Sequence, residues 1–315
     1  MIWLTWRQHR IEALVTVLIL VLLGTLLIIS GFNIITTFKQ LGLADCLSQP
    51  GQNCGNADVF EKQFRQWTGL IPWLNLVPAF VGMFVGAPLL ARELEQHTHR
   101  MVWTQSVSRL HWFVVKIGLI AVVALLAELI VTGLVSWWRG PFDQIEGSLT
   151  PNQAFEFEGI VPLAYLLFAL MLGVALGALI GRTVITMFLT LVGFLGLRLF
   201  ILNFVRPNFM PMLENTFNLN ETNPRANLGD WVIDNTLVDS QGHVLSNDEL
   251  LALCPKGASR GIFEQCLQAH NFRNVTYYQP ADRFWLFQGM ESLIYLGLSI
   301  LLISVTIWWL KHKLT

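Results

Sequence analysis

Residues 159–205 read GIVPLAYLLFALMLGVALGALIGRTVITMFLTLVGFLGLRLFILNFV, two apolar runs separated by little more than Arg182. Hydrocarbon about 30 Å thick is crossed by roughly 20 helical residues, and only internally bonded backbone survives there. Gly159–Gly181 and Thr183–Val205 each meet that length, and the near-absence of a connection makes them a tight antiparallel helical hairpin. Four more runs of the same kind follow from the same reading: Ile11–Phe32, Leu70–Ala91, Phe113–Trp138 and Trp285–Leu310. A mean hydropathy of +0.54 with 13% charged residues excludes an ordinary soluble domain. The net charge of −1 supplies no field for nucleic acid.

Basic residues set the orientation. With the N-terminus inside, Arg7, Arg10, Arg92, Arg100, Arg109, Lys116, Arg182, Lys311 and Lys313 share the cytoplasmic face, and the C-terminus is inside too. The outer segments then carry sixteen of the 21 acidic residues and all four cysteines. Cysteines confined to one face point to an oxidising compartment and two disulfides. Three connectivities are possible; Cys46–Cys54 with Cys254–Cys266 is the local one, each loop stabilising its region by about 2.5–3 kcal/mol. Met1–Arg10, with Ile2, Trp3 and Trp6 beside Arg7, His9 and Arg10, reads either as a short helix flat in the inner interface or as aromatic anchoring of the first span. Ser30-Gly31-Phe32 is a poor cleavage site, so the first run reads as an uncleaved anchor.

The expected fold is an all-α polytopic membrane protein with six spans and a small α+β, disulfide-bonded outer domain. Residues 1–205 hold five spans, 206–283 the outer domain, and 284–315 the sixth span and tail. Within the outer domain, Trp231–Val238 and His243–Leu245 around Ser240-Gln241-Gly242 read as a hairpin. Ser246 with Glu249 is a capping box, and Phe263–His270 reads as a helix. In the first outer loop, Asp58 and Glu61 start a short amphipathic helix carrying Phe60, Phe64 and Trp67.

Gly173, Gly177 and Gly181 form a small-xxx-small ladder, and Gly82 with Gly86 a shorter one. Both mark faces where another backbone approaches closely. Pro78 and Pro88 should bend the second span. Three charges lie at membrane depth: Glu128, Arg198 and Glu291. Unpaired, each costs about 2.5–3.5 kcal/mol at the bilayer centre. Arg198 and Glu291 lie at matching depth and are expected to pair, with Glu128 deeper.

No catalytic residue is identified. The chain lacks a phosphate-binding G-x-x-x-x-G-K-[ST] loop, an H-E-x-x-H helix and a nucleophile elbow. His97-Thr98-His99 has no further ligand nearby, so no metal site is expected.

The segment Arg92–Lys116 reads RELEQHTHRMVWTQSVSRLHWFVVK. Polar side chains interrupted by Met101, Val102, Trp103, Val107 and Trp112 suit a helix docked in a partner's groove beside the bilayer. Glu95-x-x-Thr98, then Thr104-Gln105-Ser106-Val107-Ser108-Arg109 and Lys116, resembles the E-x-G-T…T-P-V-S-R…K segment of type-2 ABC transporter permeases, with His97 for the glycine and Ser106 for the proline. The layout is similar, as is Tyr278–Trp285 followed by Gln288 and Glu291.

That resemblance implies a coupling helix over 92–112 seated on a separate ATP-binding subunit. The implied contacts are Glu93, Glu95, Thr98, Arg100, Thr104, Gln105, Ser106 and Arg109. It also implies two ATPase copies, a second permease chain as a homodimer, ATP and magnesium held by the partner alone, and residence in a bacterial cytoplasmic membrane. The implied role is export of a hydrophobic or amphipathic compound. Alternatives are a mechanotransmission or sensing subunit acting through the outer domain, a membrane thiol-disulfide enzyme, and a proton-coupled carrier using Glu128 and Glu291. The cysteine spacings are not C-x-x-C, which weakens the redox reading.

Overall fold

The computed structural model of the chain describes residues 2–47, 54–96, 109–149, 154–218, 230–239, 241–253, 266, 270 and 272–312. Among the described residues, six helices are long and apolar enough to cross a membrane. Helix α1 spans Ile2–Gln40 without a break, so the N-terminal segment continues the first span and is not a separate element. After α2 (Leu43–Leu47) and α3 (Asn56–Thr68), the second span is assembled from pieces. These are α4 (Ile71–Leu74), α5 (Val77–Val81), a π turn at Gly82–Gly86 and α6 (Ala87–Glu95). Pro72 and Pro78 each sit in the first turn of a new piece, where a missing N–H removes no internal bond; Pro88 follows the π turn in unbroken helical backbone, where it removes one.

Helix α7 (Arg109–Glu146) continues through Pro141 beyond the expected end at Trp138. Helices α8 (Val161–Ile180) and α9 (Thr183–Phe200) form the hairpin. Gly181 closes α8 at φ +64°, its N–H bonded to the Gly177 carbonyl at 3.1 Å. A side chain there would be strained, which is why the reversal needs so few residues. A π turn (Ile201–Val205) and a short 3₁₀ turn (Arg206–Asn208) extend α9. The sixth span is α11 (Phe284–His312).

Helix α8 is the axis of the bundle: 67% of its span is buried, against 11–44% in the other five. The two glycine ladders meet across it within this one chain. A Cβ on Gly82 would lie 2.5 Å from the Ala169 carbonyl oxygen, and one on Gly173 would lie 2.4 Å from the Gly82 oxygen. Gly86 and Gly177 face Leu170 and Ala87 backbone at 2.7 and 2.8 Å in the same sense. Helix α1 packs on the far half of α7 through Leu27, Ile34, Val135 and Trp138, whose indole N–H donates to Ser30 Oγ at 2.9 Å. Phe60 and Phe64 of α3 cover that pair, against Phe38 and Phe142.

The segment after α9 builds a three-stranded antiparallel sheet in the order β1 (Leu213–Asn218), β3 (Arg273–Gln279), β2 (Trp231–Val238). The expected hairpin forms at its base, where Val238 bridges Val244 antiparallel and Leu245 N–H donates to Leu237 O at 2.9 Å; along its other edge β2 also pairs with β3, a pairing the sequence reading did not include. The β-forming run Val275-Thr276-Tyr277-Tyr278 suits β3 to that edge. The capping box opens α10 (Asn247–Leu253): Ser246 N–H donates to Glu249 Oε2 at 2.8 Å, and Glu249 N–H returns to Ser246 Oγ at 3.3 Å. Of the helix expected at Phe263–His270, only Cys266 and His270 fall within the described residues. Cys46 is bonded to Cys54. Cys266 is also in a disulfide, and Cys254 lies outside the described residues. The sheet meets α11 through Trp231, Phe209 and Phe287.

Gly173→Ala should destabilise the purified protein by about 1–3 kcal/mol, because the methyl meets backbone and not a flexible side-chain tip. Gly118→Ala, which meets nothing within 4 Å, should shift stability by less than about 0.5 kcal/mol. Thermal unfolding of both variants in detergent checks this; equal melting temperatures would contradict it.

Candidate functional site

Polar contacts concentrate at the two ends of the bundle. At the end that carries the sheet, the wider π turn re-phases the residues beyond it and delivers Arg206 into the interior, 1% exposed. Its guanidinium forks onto Glu291, Nε to Oε2 at 2.8 Å and Nη2 to Oε1 at 2.9 Å. Nη1 reaches Glu156 Oε1 at 2.5 Å, and Nη2 also donates to the Tyr165 hydroxyl at 3.1 Å. Tyr165 in turn donates to Glu291 Oε1 at 2.5 Å, and the guanidinium lies 4.3 Å from the Phe155 ring centroid. Glu156 and Glu291 are buried as well. Such charges are tolerated out of water only when their bonds are satisfied, as here.

The loop that supplies Glu156 is docked, not solvated. Gln288 of α11 accepts the N–H groups of Ile160 and Val161 at 3.0 and 2.9 Å and donates to the Phe155 carbonyl at 2.8 Å. Two residues on, Glu158 reaches Arg139 Nε at 3.4 Å, and Arg139 also pairs with Asp143 at 3.2 Å and Glu146 at 3.8 Å. Burial first, and the Asp143 carboxylate second, push the Glu158 carboxyl well above the usual range.

The expected pairing of Arg198 with Glu291 is corrected by this geometry. Arg198 donates instead to the Asn75 carbonyl at 2.9 Å and to the Asn75 side-chain oxygen, and stacks 4.6 Å from the centroid of the Tyr165 ring. Both arginines converge on Tyr165, and Arg206 reaches the carboxylate. Sequence reasoning missed Arg206, Glu156, Arg139 and Glu158. The alternation Ala154-Phe155-Glu156-Phe157-Glu158 was the available signal, since two phenylalanines alternating with acids do not suit a solvated loop. Glu128 is half-buried on α7.

At the opposite end, α6 sends out two carboxylates. Glu93 Oε1 accepts from Lys116 Nζ of α7 at 2.6 Å, and the same ammonium donates to the Leu89 carbonyl at 3.2 Å beside the Trp112 ring. Glu95 Oε2 accepts the Thr183 N–H at 3.0 Å and its hydroxyl at 2.7 Å, capping the start of α9. The second span is thereby tied to the third and the fifth, immediately before the segment between α6 and α7. Thr98, Arg100, Thr104, Gln105 and Ser106 lie outside the described residues, and Arg109 opens α7. Among the described residues no three His, Cys, Asp or Glu side chains gather to hold a metal. What the two ends provide is fixed charge and inter-helix linkage.

Arg206→Leu strands two buried carboxylates and should destabilise the protein by about 3–5 kcal/mol; Arg198→Leu strands only the amide group of Asn75 and should cost about 1–3 kcal/mol. Chemical or thermal unfolding in detergent distinguishes them, and an Arg198 variant as damaged as the Arg206 variant would contradict the assigned pairing.

A family model described as ABC-2 membrane transporter related matches residues 17–206. Comparison with curated proteins and with solved structures found no significant match. The match covers the first five spans, including the glycine contact, the carboxylate ties and Arg206 itself. This chain belongs to the ABC-2 membrane transporter related family, as an ABC-2 type permease.

Proposed function

We propose that the chain is the membrane subunit of an ATP-driven exporter that carries a hydrophobic or amphipathic compound outward. A separate ATP-binding subunit docks on residues 92–112 from the cytoplasm, with N- and C-termini on that same side of a bacterial cytoplasmic membrane. Two such subunits serve two copies of this chain, and ATP and magnesium belong to them alone. The observation that carries this reading is the pair of carboxylate ties on α6. Glu93 to Lys116 and Glu95 to Thr183 link three spans at the root of the docking segment. A displacement of that segment therefore moves α6, α7 and α9 together.

The roles within the segment divide accordingly. Thr98, Arg100, Thr104, Gln105, Ser106 and Arg109 face the ATPase, whereas Glu93 and Glu95 pass its movement to the spans. The disulfide-bonded outer domain is the cap of the exit route. A mechanotransmission subunit would use the same ties without moving a compound.

Co-expression with ATP-binding-cassette subunits of the same genome tests the division. Arg100→Glu should lower recovery of the ATPase about tenfold. Glu95→Gln should leave recovery intact while reducing dye export per ATP hydrolysed in reconstituted vesicles. Failure of any ATPase to co-purify with the parent chain would overturn the proposal, and ATP turnover without export of any compound would favour mechanotransmission.

A further inference from the structure

Five consecutive residues outside any span, Ala154 to Glu158, are all buried, at 0–8% exposure. They clasp two halves of the bundle together. Phe155 enters the core that α8, α9 and α11 build around Tyr165, Phe194 and Phe287. Phe157 enters the other core, with Ile34 and Phe38 of α1, Phe60 of α3 and Trp138 of α7. The two acids divide in the same way: Glu156 goes to Arg206 and Glu158 to Arg139.

The α7 half of the clasp gathers more negative charge than its cation can balance. Arg139 lies 3.2, 3.4 and 3.8 Å from carboxyl oxygens of Asp143, Glu158 and Glu146. Glu61 of α3 adds its field beside Glu146, while α1 contributes apolar Leu27, Ile34 and Phe38 to that core. On the far side of the loop, Glu156 and Glu291 share Arg206. Three carboxylates around one guanidinium, in a site largely closed to water, do not all stay ionised. Glu158 has the most shielded side chain of the three, at 10% exposure against 15% and 26%. Arg139 moreover hydrogen-bonds Asp143, whereas among the described residues neither its Nε nor Glu158 Oε1 has a hydrogen-bond partner. That is the arrangement of a neutral acid beside an ionised one. Burial first, and the bond between Glu158 and Asp143 second, accordingly push the Glu158 carboxyl up to about 9.

We infer that one proton shared between Glu158 and Asp143 latches the clasp, and that its loss to water frees the α7 half of the loop and loosens Glu156 two residues back. The consequence for transport rests on the permease reading: the proton then sets how firmly Arg206 holds the outer end shut. A docked loop keeps the proton and a solvated loop releases it, over the range from ordinary carboxyl values up to about 9. Docking is therefore firm in acid and weakens as the pH rises through that range, by about tenfold per pH unit.

The test uses the purified full chain in lipid nanodiscs without any ATPase. Hydrogen exchange read by mass spectrometry follows the Ile160 and Val161 amides, whose bonds to Gln288 report docking. After correction for the intrinsic rate at each pH, their opening should grow about tenfold per pH unit from about pH 6 and level off near about 9. Glu158→Gln cannot titrate and should abolish the slope. Asp143→Asn leaves Glu158 to ionise against Arg139 and should flatten it, while Glu214→Gln, exposed on β1, should keep the parent slope. A parent chain whose corrected opening does not change with pH, or a Glu158→Gln variant that keeps the parent slope, overturns the inference. Should Glu158→Gln not be recovered folded, Asp143→Asn decides in its place, and an unchanged slope there overturns the inference as well. A flat slope leaves the ATPase-docking proposal untouched, and an ATPase that never co-purifies leaves the proton latch standing.

Discussion

Two helices touch backbone to backbone where Gly82 and Gly86 meet Gly173 and Gly177. Side chains there would lie 2.4–2.8 Å from main-chain atoms, so the approach exists only because none is present. The contact joins the most broken span to the most buried one. Proline-started pieces and a π turn make the second span deformable along its length. The glycines nonetheless hold it against α8 at one level. Movement entering α6 is therefore delivered to the bundle axis.

The two ends of the bundle differ in how firmly they are held. At the sheet end, Arg206, Glu156, Glu291 and Tyr165 are buried and mutually satisfied, and separating them would expose charge to a dry interior at about 3–5 kcal/mol. At the other end Glu95 meets Thr183 at an exposed site, where water competes for both partners and such ties are weak. In the proposed cycle, the Glu95–Thr183 tie at the end that meets the ATPase yields, the largely buried Lys116–Glu93 pair keeps α6 and α7 together, and the end that faces out resists. Release then requires Arg206 to part from a carboxylate, a threshold suited to keeping an exporter closed until force is applied.

The six spans, the short turn at Gly181, the paired glycine ladders and the Ser246–Glu249 box could be read from the chain because each depends on local composition or fixed spacing. Other features depend on phase or distance. Arg206 lies beyond Val205 among prolines and asparagines and reads as a surface residue. Only the π turn at 201–205 brings it inward, and no apolar pattern announces a five-residue change of helical phase. The same change explains why depth alone assigned Glu291 to Arg198. Depth locates a residue along the normal but not around the helix. The local hairpin at Val238 and Val244 could be read, but β3 as the second partner of β2 could not, because it follows β2 by more than thirty residues. Glu93 and Glu95 read as partner-facing because a polar segment leaving a span looks solvent-bound; the ties both carboxylates make to neighbouring spans depend on distances that the sequence does not carry.

The central claim is that a motor grips residues 92–112 from the cytoplasm, and sidedness tests it most directly. Ser106→Cys would place a thiol in that segment for reaction with a membrane-impermeant maleimide on intact cells. The account predicts no labelling until the cells are permeabilised, followed by full reaction. Labelling of Cys introduced at this position in sealed cells would put the segment on the far side of the bilayer, out of reach of any cytoplasmic ATPase, and would contradict the account.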